Sequence, residues 1–308
     1  MNTSWNEVLG NHDMHRATPY DMENHVRYTA SGEDVKRKVR VLEMHSRHPN
    51  ASSVATDKLI LLRTIADEEP IMNFYSATDK EFADSLRIQL LQFAAEGRPG
   101  VTVGHHPLGM MAQDFMTKPF MNEVMYKNNS KVPVKYDMHI LGHVHSIRAH
   151  RHNNGLLEVA TTTLQNRRYR IWAYDNHLLS FLDLTYDQWP FAMMTYPKSS
   201  RYLIDGEPNI IMKNAKQIRV AAFSRTTIKN VEVSIDGTSV CSSMSPIEHT
   251  PFYSCEWDSS KCSTGVHEIR IKVTDTNTTT SWDDHFSLDG TISYIDRDYM
   301  IGRDVCSL

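Results

Sequence analysis

Histidines that directly follow short apolar runs are the residues of this chain best suited to chemistry. The motif Gly142-His-Val-His145 comes after a mostly apolar run at 138–141, which is typical of the end of a buried strand. Gly142 permits a sharp turn at that point. Alternate side chains of an extended chain point the same way, so we expect the rings of His143 and His145 to converge. Neutral imidazole is a common ligand of zinc and iron, and the motif therefore predicts a metal site.

Two further stretches place a histidine after a glycine. Gly104-His-His-Pro107 follows the β-branched run Val101-Thr-Val103, which also predicts a buried strand. Gly10-Asn-His-Asp13 combines an amide oxygen, an imidazole and a carboxylate. These groups offer a metal ligand, a proton donor and an acceptor that orients the donor.

Taken in chain order, the three motifs resemble the second half of the calcineurin-like metallophosphoesterase pattern. In that family, two divalent metal ions (Mn, Fe or Zn) lie at the ends of strands and hold a hydroxide between them. The hydroxide attacks a phosphate ester while the ions neutralise the phosphoryl charge. The resemblance implies a metal-dependent phosphoesterase, which is a hydrolase, acting on an unidentified phosphate ester.

The resemblance also assigns roles to matching positions. The Asn11 carbonyl, His105 and His143 are implied to bind one metal, and His145 is implied to bind the other. His106 takes an outer or structural role, because one histidine of the pair suffices. In the catalytic step, His12 is implied to donate a proton to the leaving group or to stabilise the transition state, with Asp13 fixing its orientation.

The first half of the family pattern, an Asp-x-His followed by a Gly-Asp, has no counterpart upstream of Gly10. That half supplies the bridging carboxylate. We therefore interpret the chain as a fragment, with two ions in a complete protein and one or none here, and we expect poor activity from the chain alone. The alternative function is a non-catalytic, membrane-associated scaffold or interaction protein that retains the phosphoesterase fold.

The elements that position these motifs predict an α/β domain. Leu59-Ile-Leu-Leu62 is typical of a central strand, and Thr78-Asp-Lys-Glu81 has the spacing of a capping box that begins a helix. We predict the C-terminal half of a layered metallophosphoesterase β-sandwich flanked by helices, within a partial domain over residues 1–195. A further helix at 115–126 and a β-hairpin that turns at 175–177 belong to it.

The last third of the chain alternates apolar and polar residues in short segments separated by turn residues. These segments lie at 218–223, 231–235, 252–257 and 267–273. They predict an all-β immunoglobulin-like domain over residues 205–290, followed by a polar tail at 291–308. We expect this domain to offer a surface for a protein partner.

Cysteines and sequons indicate the compartment. The four cysteines Cys241, Cys255, Cys262 and Cys306 allow three disulfide pairings, with free thiols as the alternative. We prefer the pair Cys241 and Cys255, which are expected near the ends of facing strands. Asn-x-Ser/Thr sequons occur at Asn2, Asn50, Asn128 and Asn277. Both features favour an oxidising compartment and a glycoprotein.

Charge and hydropathy limit the partners. The net charge is −4, and no basic cluster is present that would predict a nucleic-acid partner. No stretch approaches the roughly 18 apolar residues of a membrane helix, so we expect this chain by itself to be soluble.

The run Asn166-Arg-Arg-Tyr-Arg-Ile-Trp-Ala-Tyr-Asp175 and the segments that follow it resemble a membrane-anchored branch of the same family. That branch combines a luminal or extracellular catalytic-type domain, an immunoglobulin-like domain and a hydrophobic C-terminal region. The resemblance implies attachment to a membrane of the secretory pathway through segments outside this chain.

Overall fold

A computed structural model of the chain describes residues 37–46, 55–64, 78–111, 136–152, 154–204, 207 and 212–293. The chain divides into two compact units. The N-terminal unit comprises residues 1–163, 204–206 and 297–308, and the C-terminal unit comprises residues 164–203 and 207–296.

The described strands of the N-terminal unit form one sheet. They are β1 (Val39–Ser46), β2 (Ala55–Leu62), β3 (Val101–Val103), β4 (Met138–Leu141), β5 (Arg148–Arg151) and β6 (Leu157–Ala160), in the spatial order β1-β2-β3-β4-β6-β5. The strands β2, β3, β4 and β6 are parallel. The strands β1 and β5 lie antiparallel at the two edges.

Burial explains why these short segments form strands. Every residue of β4 and β6 is buried. Continuous burial on both faces is typical of strands inside a parallel sheet, and it accounts for the mostly apolar sequences of β4 and β6, which only His139 and Glu158 interrupt.

Two helices belong to the same unit, α1 (Lys80–Ala95) and α2 (Leu108–Met111). The α1 residues Phe82, Leu86 and Phe93 form one buried cluster with Ile60 and Leu62 of β2. The helix begins as predicted, but its cap differs. Asp79, rather than Thr78, is the N-cap, since its carboxylate accepts the Phe82 N–H at 2.9 Å.

The C-terminal unit is all-β apart from short helical turns in its described part. Its strands are β7 (Arg168–Asp175), β8 (Leu178–Thr185), β9 (Phe191–Tyr196), β10 (Gln217–Phe223), β11 (Ile228–Ile235), β12 (Thr238–Cys241), β13 (Ser245–Pro246), β14 (Phe252–Glu256), β15 (Val266–Asp275) and β16 (Thr279–Ser287). They form the sheets β13-β14-β10-β9 and β12-β11-β15-β16 and the hairpin β7-β8. Along β15, exposed and buried residues alternate, and the buried positions Ile269, Ile271 and Val273 face the core.

The inner faces of the two four-stranded sheets share one core. Ile218 and Val220 of β10 belong to the same buried cluster as Val231 of β11 and Ile271 of β15. A disulfide joins Cys241 at the end of β12 to Cys255 in β14, and so links the two sheets. The preferred pairing is therefore the one that the structure contains.

The structure confirms a β-rich chain and places the predicted hairpin at β7 and β8. It divides the chain between residues 163 and 164, earlier than the predicted boundary at 195. The hairpin and β9 thus belong to the C-terminal unit, where β9 pairs with β10. The predicted helix at 115–126 lies outside the described residues.

Removal of the disulfide tests its contribution to this unit. The bond closes a loop with a sequence separation of 14, so Cys241→Ala with Cys255→Ala is expected to lower the free energy of unfolding by about 3 kcal/mol. Cys262→Ala, which alters a half-buried thiol outside the bond, is the matched control and should cost much less. Urea unfolding followed by tryptophan fluorescence measures both. Equal stabilities of the two variants would contradict the prediction.

Candidate metal centre

The parallel pairing of β3 with β4 determines where the histidine motifs meet. Thr102 pairs with His139 and Val103 pairs with Ile140, so the two strands end at the same edge of the sheet. The Gly104 N–H continues the ladder by donating to the Ile140 carbonyl at 2.9 Å. The motifs that follow the strands, beginning at His105 and at His143, therefore emerge side by side.

Three histidines converge at this edge. Within the described residues, His105, His106 and His143 form the one group of potential metal ligands, and their ligand nitrogens lie within 4.8 Å of one another. The Nε2 atom of His105 and the Nδ1 atom of His143 are 3.1 Å apart. The ring centroids of all three pairs are separated by 4.7 to 5.0 Å. His106 is completely buried, whereas His105 and His143 are half-buried.

The backbone of the motif Gly142-His-Val-His145 is not extended. His143 has φ 60° and His145 has φ 50°, both in the left-handed region that non-glycine residues rarely occupy. The alternation assumed from the sequence does not apply to such a conformation. His145 is exposed and lies outside the group that contains His143. Backbone strain of this kind is concentrated at functional sites.

A set of buried hydrogen bonds holds His106 in place. Its Nδ1 atom lies 2.7 Å from the Thr64 hydroxyl, so Nε2 is the nitrogen that His106 presents to the group. Its carbonyl accepts from Nε2 of His139 at 3.0 Å. Both the ring and the backbone of His106 are therefore fixed from within the sheet.

The hydrogen bonds and the burial of His139 indicate that its ring is neutral. Its Nε2 donates to a carbonyl, so Nδ1 accepts, and the hydroxyls of Thr102 and Tyr136 lie 2.7 and 3.1 Å from Nδ1. Complete burial lowers the pKa of His139, and burial raises the pKa of Tyr136. The imidazole therefore stays uncharged and the phenol stays protonated near neutral pH. A histidine inside an otherwise apolar strand was the sequence signal for this network.

The spacing of the imidazoles is compatible with a metal ion. Two nitrogens that each bind a zinc ion at about 2.0–2.1 Å are about 2.9 Å apart for a right angle and about 3.3 Å apart for a tetrahedral angle. The 3.1 Å between His105 and His143 falls in that interval. The same distance also suits a hydrogen bond between the two rings. Three imidazoles favour ions such as zinc, iron or copper over magnesium.

The predicted site residues divide into three sets. His105 and His143 come together as expected, and His106, which was assigned a supporting role, joins them. His145 lies near this edge but outside the group. Asn11, His12 and Asp13 lie outside the described residues.

Comparisons with known proteins cover both units. Residues 186–292 match the family described as the TMEM62 Ig-like domain. The chain is 28% identical over 278 residues to "Transmembrane protein 62" of Mus musculus. Over most of its length, the chain is similar to transmembrane protein 62. The aligned region covers 89% of this chain and 41% of the mouse protein, so the chain spans less than half of that relative.

The resemblance to transmembrane protein 62 agrees with the membrane-anchored branch expected from residues 166–175. It does not test the metallophosphoesterase resemblance, which stays a prediction. In the described part of the chain, no helix has both the length and the hydropathy needed to cross a membrane.

Two solved structures were also matched. An endo-β-1,4-mannanase from Thermotoga petrophila has a TM-score of 0.28 at 11% identity, covering 69% of this chain and 44% of the mannanase. An engineered protein has a TM-score of 0.24 at 10% identity, covering 69% of this chain and 47% of that protein. Neither likeness is close enough to carry an argument about fold or function.

Gly104 tests the packing behind the histidines. A Cβ at this position would lie 3.1 Å from Cε1 of His139 and 3.4 Å from Cβ of Leu62. Because hydrogen bonds hold His139 on both ring nitrogens, it cannot move away, and Gly104→Ala should lower the free energy of unfolding by about 1–3 kcal/mol. Gly142→Ala is the control, since its Cβ would meet His105 at an ordinary 3.5 Å. Thermal unfolding that shows the same loss for both variants would refute this account.

Proposed function

We propose that this chain carries part of the metal site of a phosphoesterase, a hydrolase that cleaves phosphate esters. The observation that carries the proposal is the convergence of His105, His106 and His143 at the carboxyl ends of two adjacent parallel strands. Sheets of this kind bind their ligands at the carboxyl ends of strands. The order of the three glycine and histidine motifs along the sequence supports the same function.

The arrangement of elements supports assigning the N-terminal unit to the second half of a metallophosphoesterase domain. Four parallel strands lie side by side, and the connection from β2 to β3 runs through α1. The buried face of α1 packs on β2, as in a layered α/β domain. The motifs at 104–107 and 142–145 directly follow the neighbouring strands β3 and β4.

The chain's own residues take the following roles in this proposal. His105 and His143 hold a divalent ion together with Asn11, and His106 adds a third imidazole. His145 belongs to a second ion in the complete site. Divalent ions bound here would lower the pKa of water and neutralise phosphoryl charge. His12 protonates the leaving group, and Asp13 orients its ring.

A second candidate is a scaffold that keeps these histidines without catalysing a reaction. It is favoured by the 3.1 Å separation between His105 and His143, which a hydrogen bond between the rings satisfies without an ion. In that case, the immunoglobulin-like unit would supply the function by binding a protein partner. Metal content separates the two candidates.

Substitution of His143 tests the hydrolase. In a complete form of the protein that supplies the first half of the site and is loaded with Mn²⁺ or Zn²⁺, His143→Ala should lower kcat/KM for bis-p-nitrophenyl phosphate by more than the roughly 10- to 100-fold that loss of an outer hydrogen-bond partner costs. The reason is that the substitution removes a ligand itself. The measurement is steady-state hydrolysis together with bound metal by mass spectrometry.

The control is His249→Asn, which alters an exposed histidine in the C-terminal unit and suits its φ of 60°. This variant should retain both hydrolysis and metal. Equal turnover by His143→Ala and the wild type would remove the hydrolase proposal. Wild-type protein without bound metal would favour the scaffold.

We also propose that the chain belongs to a membrane protein, with both units on the luminal or extracellular side. The name of the mouse relative and the bond between Cys241 and Cys255 support this location. The sequon at Asn277 lies at the exposed turn between β15 and β16, where the Asp275 carboxylate accepts the N–H groups of Asn277 and Thr278 at 2.7 and 2.8 Å.

The exposed sequon predicts an N-glycan on Asn277 in cells of the source organism. Asn277→Gln should remove one glycosidase-sensitive mass step, whereas Thr279→Ser keeps an acceptor sequence and should retain it. Intact mass before and after glycosidase treatment provides the measurement. Complete absence of sugar on Asn277 would argue against the luminal location.

A further inference from the structure

Glu158 places a fully buried carboxylate next to the candidate metal centre. It lies in β6, and none of its surface is exposed. A buried carboxylate destabilises a core unless hydrogen bonds and charges compensate for lost water. An apolar residue would fill the same position in the sheet without that cost. The contacts of this carboxylate therefore indicate what it does.

One oxygen of Glu158 binds the turn that carries two of the histidines. Its Oε1 atom accepts the backbone N–H of Leu108 at 2.8 Å. Leu108 is buried, begins α2 and directly follows Gly104-His-His-Pro107. The carboxylate thus holds the end of the segment in which His105 and His106 lie.

The other oxygen of Glu158 is held by His152. The distance from Oε2 to Nε2 of His152 is 2.6 Å, and the His152 side chain is 11% exposed. The backbone of His152 is itself fixed, because its N–H donates to the Leu156 carbonyl at 2.8 Å and its carbonyl accepts from the Gly155 N–H at 2.9 Å. With both oxygens engaged, the plane of the carboxylate is set.

The turn at 104–107, which carries His105 and His106, is therefore held by residues of two neighbouring strands. His139 of β4 donates to the carbonyl of His106, and Glu158 of β6 accepts from the N–H of Leu108. These two bonds fix the backbone on both sides of Pro107. They leave the rings of His105 and His106 directed toward His143.

We propose that Glu158 is a positioning residue for the metal site: its buried carboxylate, oriented by His152, fixes the Leu108 amide and thereby sets the placement of His105 and His106 against His143. The proposal rests on the metal site of the proposed function. Groups that orient metal ligands commonly change metal affinity 10- to 100-fold when they are removed, and Glu158 orients His105 and His106 through the backbone of the turn that carries them.

Cobalt binding tests the proposal without any assay of hydrolysis. Titration of the full chain with Co²⁺, followed by its visible absorption, gives both affinity and ligand geometry. Glu158→Ala is expected to weaken Co²⁺ binding about 10- to 100-fold and to alter the spectrum. Glu158→Gln keeps an oxygen acceptor for the Leu108 amide, and since a neutral acceptor is about half as strong as a charged one, a smaller loss of about three- to tenfold is expected.

Glu207→Gln is the matched control. It changes another buried carboxylate, which pairs with Lys198 at 2.5 Å in the C-terminal unit. This variant is expected to bind Co²⁺ like the wild type, whatever its effect on unfolding. Unchanged Co²⁺ affinity and spectrum in folded Glu158→Ala would overturn the proposal, and a purely structural role would give that result. If Glu158→Ala does not fold, Glu158→Gln carries the test, and affinity identical to the wild type would overturn the proposal.

A second measurement separates this inference from the proposed function. Imidazole nitrogen NMR signals of metal-free protein report the placement of His105 and His106 directly. These signals should shift in the Glu158 variants and stay unchanged in Glu207→Gln. Shifts without any Co²⁺ binding by the wild type would support the positioning role and refute the metal site. Unshifted signals in both Glu158 variants would overturn the positioning role.

Discussion

The parallel pairing of β3 with β4 is the constraint on which the candidate site depends. Side-by-side parallel strands end at the same edge, so the residues that follow each strand must emerge close together. His105 and His143 are far apart in the sequence, yet this register places their ring nitrogens 3.1 Å apart. A slip of one residue in β4 would turn His139 and its neighbours to the opposite face of the sheet and separate the rings.

Buried polar groups then fix the histidines that the register of β3 and β4 brings together. His139, Thr64 and Glu158 are all buried, and each contacts the turn that carries His105 and His106 or the ring of His106. Burial of such groups destabilises a core unless every donor and acceptor is used. The left-handed backbone at His143 and at His145 adds a strain of about 1–3 kcal/mol at each residue. Burial of the apolar cluster of α1 and β2 contributes stabilising free energy to the same unit.

The sequence was sufficient where local pattern decides structure. Alternation in the last third predicted β10, β11, β14 and β15, because a sandwich buries one face of each strand. The run of glycine and histidine after an apolar segment predicted His105 and His143. Prediction from the sequence fails where tertiary geometry decides the local structure. His145 was paired with His143 by assuming an extended chain, whereas both residues adopt a positive φ. The sequence analysis does not identify the buried carboxylate of Glu158, although a glutamate inside the apolar stretch Leu156-Leu-Glu-Val-Ala160 is a signal of the same kind as the histidine inside β4.

The central claim is that His105, His106 and His143 bind a metal ion, and X-ray absorption at the zinc edge tests it most directly. Protein loaded with Zn²⁺ and then desalted should show nitrogen or oxygen neighbours at about 2.0–2.1 Å, with the outer scattering of imidazole rings. His143→Ala should lose imidazole scattering or the ion itself. Neighbours at the roughly 2.3 Å typical of sulfur would place the ion on cysteines instead. Protein that retains no zinc after desalting would contradict the account.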